Sequence, residues 1–238
     1  MWLGNKAMNY GPLLFLGILF TLASSWVGLV LMPHRQLGGL TPNTSTNATG
    51  AVVLYPQARN GEAQQGAEVY RSLGCIYCHS QQVRPEGFGA DIQRGWGKRR
   101  TVSRDYIYDK PVMLGTSRTG PDLTNIGERQ PSADWHLSHL YNPQITSKGS
   151  VMPPYPFLFE VRPVGARGPS SDALKVSGEH APGAGLEVVP TGAARQLVAY
   201  LQSLKTSVAL PEAPLPVKAE DEASAKPADA KGATPTTK

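Results

Sequence analysis

The sequence predicts an all-α protein in which a single N-terminal transmembrane helix is followed by a helical domain with long loops. Three observations support this fold class. An uncharged apolar run of 22 residues lies near the N-terminus, three later segments repeat apolar residues at helical spacing, and the 238 residues include 25 glycines and 21 prolines. A run of that length crosses a membrane as a helix, and frequent glycine and proline indicate loops.

The apolar run covers residues 11–32, and we predict that it stays in place as a membrane anchor. A cleaved signal peptide is the alternative, because Lys6 precedes the run and Ala23 to Ser25 resemble a small-residue cleavage site. The run continues to Met32, however, whereas the apolar part of a signal peptide is usually only about 7–15 residues long. Residues 1–10 form a short N-terminus before the anchor.

A folded domain is predicted over residues 60–207, after a flexible linker over residues 33–59 that is rich in Gly, Ser, Thr and Asn. The first helix of the domain begins after the capping residue Asn60. The second begins after Ser132, and the third runs from about Gly192 to Lys205 with apolar residues on one face.

Two segments of low apolar content are predicted to lie outside the packed domain. Residues 165–190 read as an exposed loop insertion, because their first part is rich in Gly, Pro and Ser. Residues 208–238 form an Ala/Pro/Lys-rich tail with too few apolar side chains to offset the entropy of ordering, so we expect it to be disordered.

The net charge of +5 belongs to the part of the chain before the tail, because four lysines and five acids follow Ser207. No module for nucleic-acid recognition is present, so the sequence predicts no nucleic-acid binding. The positive charge suits an acidic protein partner, anionic lipid or a buried anionic cofactor. Part of it is a basic cluster, which is either a docking surface or a solvated face: Arg94, Lys98, Arg99, Arg100 and Arg104.

Both cysteines of the chain, Cys75 and Cys78, lie in the sequence CIYCH, which ends at His79. This is the attachment pattern for c-type haem: on a helical turn the two thiols share a face and can bond the vinyl groups, while the imidazole comes under the iron. The alternatives are a thioredoxin-like redox pair, half of a zinc site, or two buried structural cysteines. A redox pair lacks its usual βαβ context here, and a structural zinc site normally uses four Cys or His ligands.

A second axial ligand is expected, because methionine and histidine together give a haem suited to electron transfer. The candidates outside the N-terminal region are Met113 and Met152. We predict Met152, because it lies on a loop stiffened by the prolines that follow it. His139 is the reserve, although we expect both it and His136 to be solvated on a polar helix face.

Four segments of the chain together resemble one known protein family. The segments GAEVYRSLGCIYCHSQQVRP, SRTGPDLTNIG, DWHLSHLYNPQ and SVMPPYPFL together resemble the membrane-anchored mono-haem subunit, subunit II, of cbb3-type cytochrome c oxidases. The resemblance covers about Gly66 to Leu158 and the N-terminal anchor. It does not extend to the Gly165 to Gly185 stretch or to the long tail.

The resemblance implies a class I cytochrome c domain in which the first and last helices cross, with Gly66 and Tyr70 meeting Tyr200 and Leu201. It also implies that the backbone carbonyl of Pro121 accepts a hydrogen bond from Nδ1 of the haem-ligating histidine. Haem attachment occurs outside the cytoplasm, so the resemblance places residues 1–10 in the cytoplasm and the haem domain on the periplasmic side of the bacterial inner membrane.

The two anionic propionates of a haem need hydrogen-bond donors or cations when they are buried. Arg84, Arg118 and Trp96 are our hypotheses for these partners. The alternative is that the two arginines are ordinary surface charges.

The predicted function is electron transfer without catalysis by the subunit itself. It takes electrons from a c-type cytochrome and, by family resemblance, passes them to the haem–copper subunit that reduces oxygen. Two alternatives stay open: a haem subunit of another respiratory complex, such as a nitric-oxide-reductase-like or quinol-oxidising assembly, and a haem-based gas sensor or peroxidase-like enzyme.

Overall fold

The computed structural model describes residues 9–46 and 51–215. Most of the predicted N-terminus at residues 1–10, and residues 216–238 of the predicted tail, lie outside the described residues. Helix α1 spans Gly11–Leu37. The remaining helices are α2 Gly61–Ser72, α3 Ile126–Arg129, α4 Ala133–Tyr141, α5 Pro143–Thr146 and α6 Gly192–Ser203.

Two antiparallel hairpins accompany these helices. Strand β1, Asn43–Thr46, pairs with β2, Val52–Tyr55, and β3, Phe159–Pro163, pairs with β4, Leu186–Pro190. The described part of the chain is therefore rich in helix but not all-α, and the prediction of fold class is corrected to that extent.

Helix α1 is long and apolar enough to cross a membrane, and its side chains do not pack against the rest of the protein. It extends beyond the predicted residue 32 to Leu37. The helix widens over Val27–Leu31, where the amide of Met32 donates to the carbonyl of Val27, five residues earlier. Pro33 explains the wider turn, because it has no N–H and its ring would collide with a carbonyl of the preceding turn in a regular α-helix.

Part of the predicted flexible linker, residues 33–59, has regular structure. Residues 33–37 continue α1, and residues 43–46 and 52–55 pair as the strands of the β1–β2 hairpin. The hairpin is tied to the domain because the hydroxyl of Tyr55 donates to Asp105 Oδ1 at 2.7 Å. The guanidinium of Arg104 also donates to the carbonyl of Thr41, just before β1.

Helices α2 and α6 cross at a glycine. A Cβ placed on Gly66 would lie 1.8 Å from the carbonyl oxygen of Gln196 and 2.8 Å from Cβ of Tyr200, so only glycine permits this approach of the two backbones. One turn along α2, the rings of Tyr70 and Tyr200 lie 5.3 Å apart. The first and last helices of the domain therefore meet as the resemblance implies.

Two domain helices begin at the predicted caps, and the third begins at Gly192 as expected, after the cap Thr191. The Asn60 side chain accepts from the amide of Ala63 at 2.8 Å, and the Ser132 side chain accepts from the amide of Trp135 at 3.2 Å. The buried side chains of α2, α4 and α6 form one apolar core together with residues of the β3–β4 hairpin: Ala67, Tyr70, Leu140, Phe159, Val188, Leu197, Val198, Tyr200 and Leu201.

The predicted exposed loop insertion over residues 165–190 is wrong at its C-terminal end. Residues 186–190 form β4, in which Val188 is 0% exposed and Val189 is 5% exposed. The carboxylate of Glu187 accepts from the amide of Ser170 at 2.6 Å and from Nε of Arg162 at 2.8 Å, which ties the loop to the hairpin. Residues 165–186 are exposed or partly exposed, as predicted for a loop.

The predicted disorder from residue 208 onward does not hold for residues 208–215. Leu210 and Ala213 are buried, and Glu212 forms an ion pair with Arg104. Nε of Arg99 donates to the carbonyl of Val208 at 2.6 Å. This short stretch is packed against the domain by basic side chains.

Most of the predicted basic cluster pairs with groups of this chain, although Arg94, Lys98 and Arg100 remain exposed. Arg99 is buried and pairs with Asp105 at 2.8 Å, and Lys98 lies 3.5 Å from Glu128. Arg100 donates to the carbonyl of Glu212 at 2.6 Å. The cluster therefore joins loops of this chain to one another.

Candidate functional site

Cys75, Cys78 and His79 lie on a single helical turn that follows α2. The chain leaves α2 through Gly74, whose φ of 74° is in the left-handed region that favours glycine, and enters a 3₁₀ turn over Cys75–Tyr77. The amide of His79 then donates to the carbonyl of Cys75 at 3.0 Å. This is the helical arrangement that the CIYCH spacing predicts.

The segment around Pro121 fixes the orientation of the His79 ring. Nδ1 of His79 donates to the carbonyl oxygen of Pro121 at 2.8 Å, so Nε2 is the nitrogen left to bind a metal ion. A Cβ on Gly120 would lie 2.3 Å from Cε1 of the ring, which shows that the imidazole lies directly against the backbone. Burial lowers the pKa of His79 although the bond to Pro121 opposes it, so the ring is neutral at neutral pH.

The buried carboxylate of Asp122 holds this segment against the chain that follows the motif. Its oxygens accept hydrogen bonds from Ser80 Oγ at 2.6 Å, from the amide of Gln82 at 2.7 Å and from the amide of Thr124 at 2.8 Å. Because Asp122 directly follows Pro121, these bonds also fix the carbonyl to which His79 donates.

The Cys75 thiol does not resemble a catalytic thiol of a thiol oxidoreductase. Burial raises the pKa of Cys75 to about 11, whereas catalytic thiols have lowered pKa values. Cys75 and Cys78 are not joined in a disulfide. A structural zinc site is equally unsupported, because nowhere in residues 9–46 and 51–215 do three or more His, Cys, Asp or Glu side chains gather as metal ligands.

Met152 and the cysteine turn pack against the same apolar core. Met152 is partly buried there, as are Cys75, Ile76 and Tyr155. Met113, the other methionine considered, is 6% exposed and is itself a member of that core. Met152 and Cys75 therefore border the same apolar core.

The two histidines of α4 are not solvated, contrary to our expectation. His136 is 3% exposed, and its Nε2 donates to the carbonyl of Gln130 at 2.8 Å. His139 is half-buried, stacks on Trp135 with ring centroids 4.8 Å apart, and bonds Thr146 through Nδ1. Burial, together with the nearby His136 and His79, lowers the pKa of His139 to about 4, so it is neutral at neutral pH.

Arg84 and Arg118 converge on the fully buried carboxylate of Asp91. Nη2 of Arg84 lies 2.9 Å and Nη1 of Arg118 3.0 Å from Asp91 Oδ1, and Arg118 also lies 3.9 Å from Asp122. Burial would raise the pKa of Asp91, but the two arginines outweigh it and lower that pKa. Trp96 lies under the Arg118 guanidinium, 5.7 Å from ring centroid to Cζ. The two positive charges are therefore already offset by carboxylates.

Arg129 is the cation that the sequence analysis missed. Its Nε is buried without a hydrogen-bond partner among the described residues, and one Nη donates to the carbonyl of Asp122. Burial lowers the pKa of Arg129, and its charge in turn contributes to the lowered pKa of His79. Nothing in the sequence around Arg129 indicates that its side chain lacks a carboxylate partner among the described residues. Only the three-dimensional structure shows that Arg84 and Arg118 pair with Asp91 while Arg129 does not.

The residues present fit a c-type haem. The segments that border one apolar core carry the groups that a c-type haem requires. These are the two free thiols, the His79 imidazole with its Nε2 available, and the Met152 thioether. Beside them, Arg129 has a buried donor that would suit an anionic group.

The chain matches a protein-family model described as cytochrome C oxidase, mono-heme subunit/FixO, over residues 42–168. This range is more than half of the 238 residues and includes the CIYCH motif, the Pro121 segment and Met152. Among curated proteins, none matches the chain.

Proposed function

Because the chain belongs to the family of cytochrome c oxidase mono-haem subunits, we propose that it carries one covalently bound haem c and relays electrons from a c-type cytochrome to the oxygen-reducing haem–copper subunit. Membership makes the chain an electron-transfer subunit of an oxidase complex. The donor and the direction of the relay are parts of the proposal. The observation that carries it is the turn that presents two free thiols beside an imidazole whose Nδ1 is already bonded.

In this proposal Cys75 and Cys78 would hold the haem through thioethers to its vinyl groups, and His79 would bind the iron through Nε2. Met152 would supply the second protein ligand to the iron. The bound haem supplies reversible one-electron chemistry at iron. The protein residues hold it in one orientation, exclude water with the apolar core, and keep the imidazole neutral and directed by Pro121.

A methionine in the second axial position leaves no open site on the iron, so oxygen reduction belongs to another subunit. This distinguishes a relay from a gas sensor or peroxidase. We also propose that α1 anchors the protein in the bacterial inner membrane, with the haem domain on the periplasmic side. The length and apolar character of α1 support the anchor, and the orientation rests on where c-type haem is attached.

The Met152→Ala variant tests the relay directly. In membranes from cells that mature c-type cytochromes, we expect the variant to keep its covalent haem and to lose the sulfur-to-iron absorption band of the ferric protein. The reduction potential should fall and oxidase activity should drop, because the thioether is the ligand that raises the potential. Optical spectra and oxygen-consumption rates of parent and variant membranes measure both effects.

Met113→Ala is the matched control, because it removes the other domain methionine while leaving the cysteine turn intact. It should lower stability but keep the absorption band, since Met113 is a core residue. If Met152→Ala retains the band, then Met152 is not the ligand.

We assign the main propionate contact to Arg129. In the holoprotein, Arg129→Gln is expected to lower the reduction potential by roughly 50 mV, which for one electron corresponds to losing about 1 kcal/mol of preference for reduced iron when a nearby positive charge is removed. Arg118→Gln is the comparison: Asp91 and Asp122 already hold its guanidinium, so the propionate pKa should change little in that variant and should rise in Arg129→Gln. Redox titration of both variants over a range of pH decides: an equal or larger rise in Arg118→Gln would return the role to Arg118.

A further inference from the structure

We propose that Gln144 is a positioning residue for Met152, and that its side-chain amide clamps the loop that carries the thioether. The inference rests on the proposed role of Met152 as an axial ligand. It adds a residue that does not touch the haem and that controls how firmly the sulfur is held over the iron.

The clamp consists of two hydrogen bonds from one side chain to the loop backbone. Nε2 of Gln144 donates to the carbonyl of Ser150 at 2.6 Å, and Oε1 accepts from the amide of Gly149 at 2.8 Å. The hydroxyl of Ser150 then accepts from the amide of Met152 at 3.2 Å. Gln144 is thus connected to the backbone of Met152 through a single intervening residue.

Gln144 is itself held in place by the start of α5. Asn142 caps this short helix, because its Oδ1 accepts from the amide of Gln144 at 3.0 Å. The previous helix, α4, supports the other end of the loop: the amide of Tyr155 donates to the carbonyl of Leu140 at 2.8 Å. Met152 therefore lies on a span that is fastened at Gly149 and Ser150 on one side and at Tyr155 on the other.

Between these two attachments the loop is mostly exposed. Val151, directly before Met152, is 80% exposed, and the two prolines after it are also exposed. Packing around the neighbours of Met152 is therefore weak, and the hydrogen bonds from Gln144 carry much of the restraint on the first half of the span. Their loss should let the loop open more often without unfolding the domain.

The test is the rate at which added imidazole displaces the thioether from the ferric holoprotein, because displacement requires the loop to open. We expect this rate to rise about tenfold in Gln144→Ala. Both hydrogen bonds are lost in this variant, and a tenfold change corresponds to the net free energy that about one hydrogen bond contributes in water. Gln144→Glu keeps the acceptor for Gly149 but sets a carboxylate oxygen against the carbonyl of Ser150, so its rate should also rise above that of the parent. Gln93→Ala, an exposed glutamine on another loop, is the control and should match the parent.

The outcomes separate this inference from the function on which it rests. If Gln144→Ala exchanges ligand at the parental rate while Met152→Ala loses the sulfur-to-iron band, the clamp is wrong and the axial ligand stands. If Met152→Ala keeps the band, the ligand assignment fails and the clamp fails with it. A purely structural role would lower the melting temperature of Gln144→Ala and leave the exchange rate below the melting transition unchanged.

Discussion

Replacing both cysteines, Cys75→Ser with Cys78→Ser, is expected to remove the haem from the mature protein completely. A hydroxyl does not take the place of the thiol in the thioether, so neither vinyl group can be attached. His79 and Met152 alone would leave only reversible ligation. Intact mass spectrometry and a haem stain after denaturing electrophoresis measure the result, using protein from cells that mature c-type cytochromes.

Tyr77→Phe is the matched control for this experiment, because Tyr77 lies between the two cysteines and is 67% exposed. It should carry the same added mass as the parent. Single serine variants should carry haem at reduced yield, since one thioether remains possible. A parent protein whose mass equals that of its amino acids alone would contradict covalent attachment and the proposed function together.

Gly66→Ala is expected to destabilise the holoprotein by about 1–3 kcal/mol, the usual cost of inserting a methyl group into a closely packed contact. The new Cβ would lie 1.8 Å from the carbonyl oxygen of Gln196, and a backbone atom of α6 cannot move aside as a flexible side chain could. The helices must separate, which also loosens the contact between Tyr70 and Tyr200. Denaturant unfolding of the full-length protein in detergent measures the change.

Gly61→Ala provides a control on the same helix. A Cβ at Gly61 meets no atom within 4 Å, and alanine has the higher helix propensity, so stability should be unchanged or slightly greater. Equal stability of Gly66→Ala and the parent would mean that α2 and α6 do not approach each other as closely as described.

The helices of the domain could be predicted because their signals are local. Asn60 and Ser132 are capping residues followed by apolar side chains at helical spacing, and both helices begin where predicted. The two hairpins could not be predicted in this way. β1 reads Asn-Thr-Ser-Thr, which has no apolar alternation, and β4 follows a long stretch rich in Gly and Pro.

The candidate site was predictable to the extent that its residues are adjacent in the sequence. The CIYCH spacing alone indicates a haem, and the resemblance added Pro121. Charge pairing was not predictable, because it depends on which arginine meets which carboxylate across the fold. Arg118 pairs with Asp91, which lies 27 residues earlier in the chain. The Nε of Arg129, by contrast, is buried and has no hydrogen-bond partner among the described residues.

The short connection between α1 and the haem domain bears on how such a subunit could exchange electrons. Only five residues, 38–42, separate Leu37 from the first strand, and Arg104 donates a hydrogen bond to the carbonyl of Thr41 within them. Five residues reach at most about 18 Å when fully extended. Under the proposed anchoring, the haem domain would therefore stay within about 18 Å of the end of α1, so its electron partners would have to reach it close to the membrane surface.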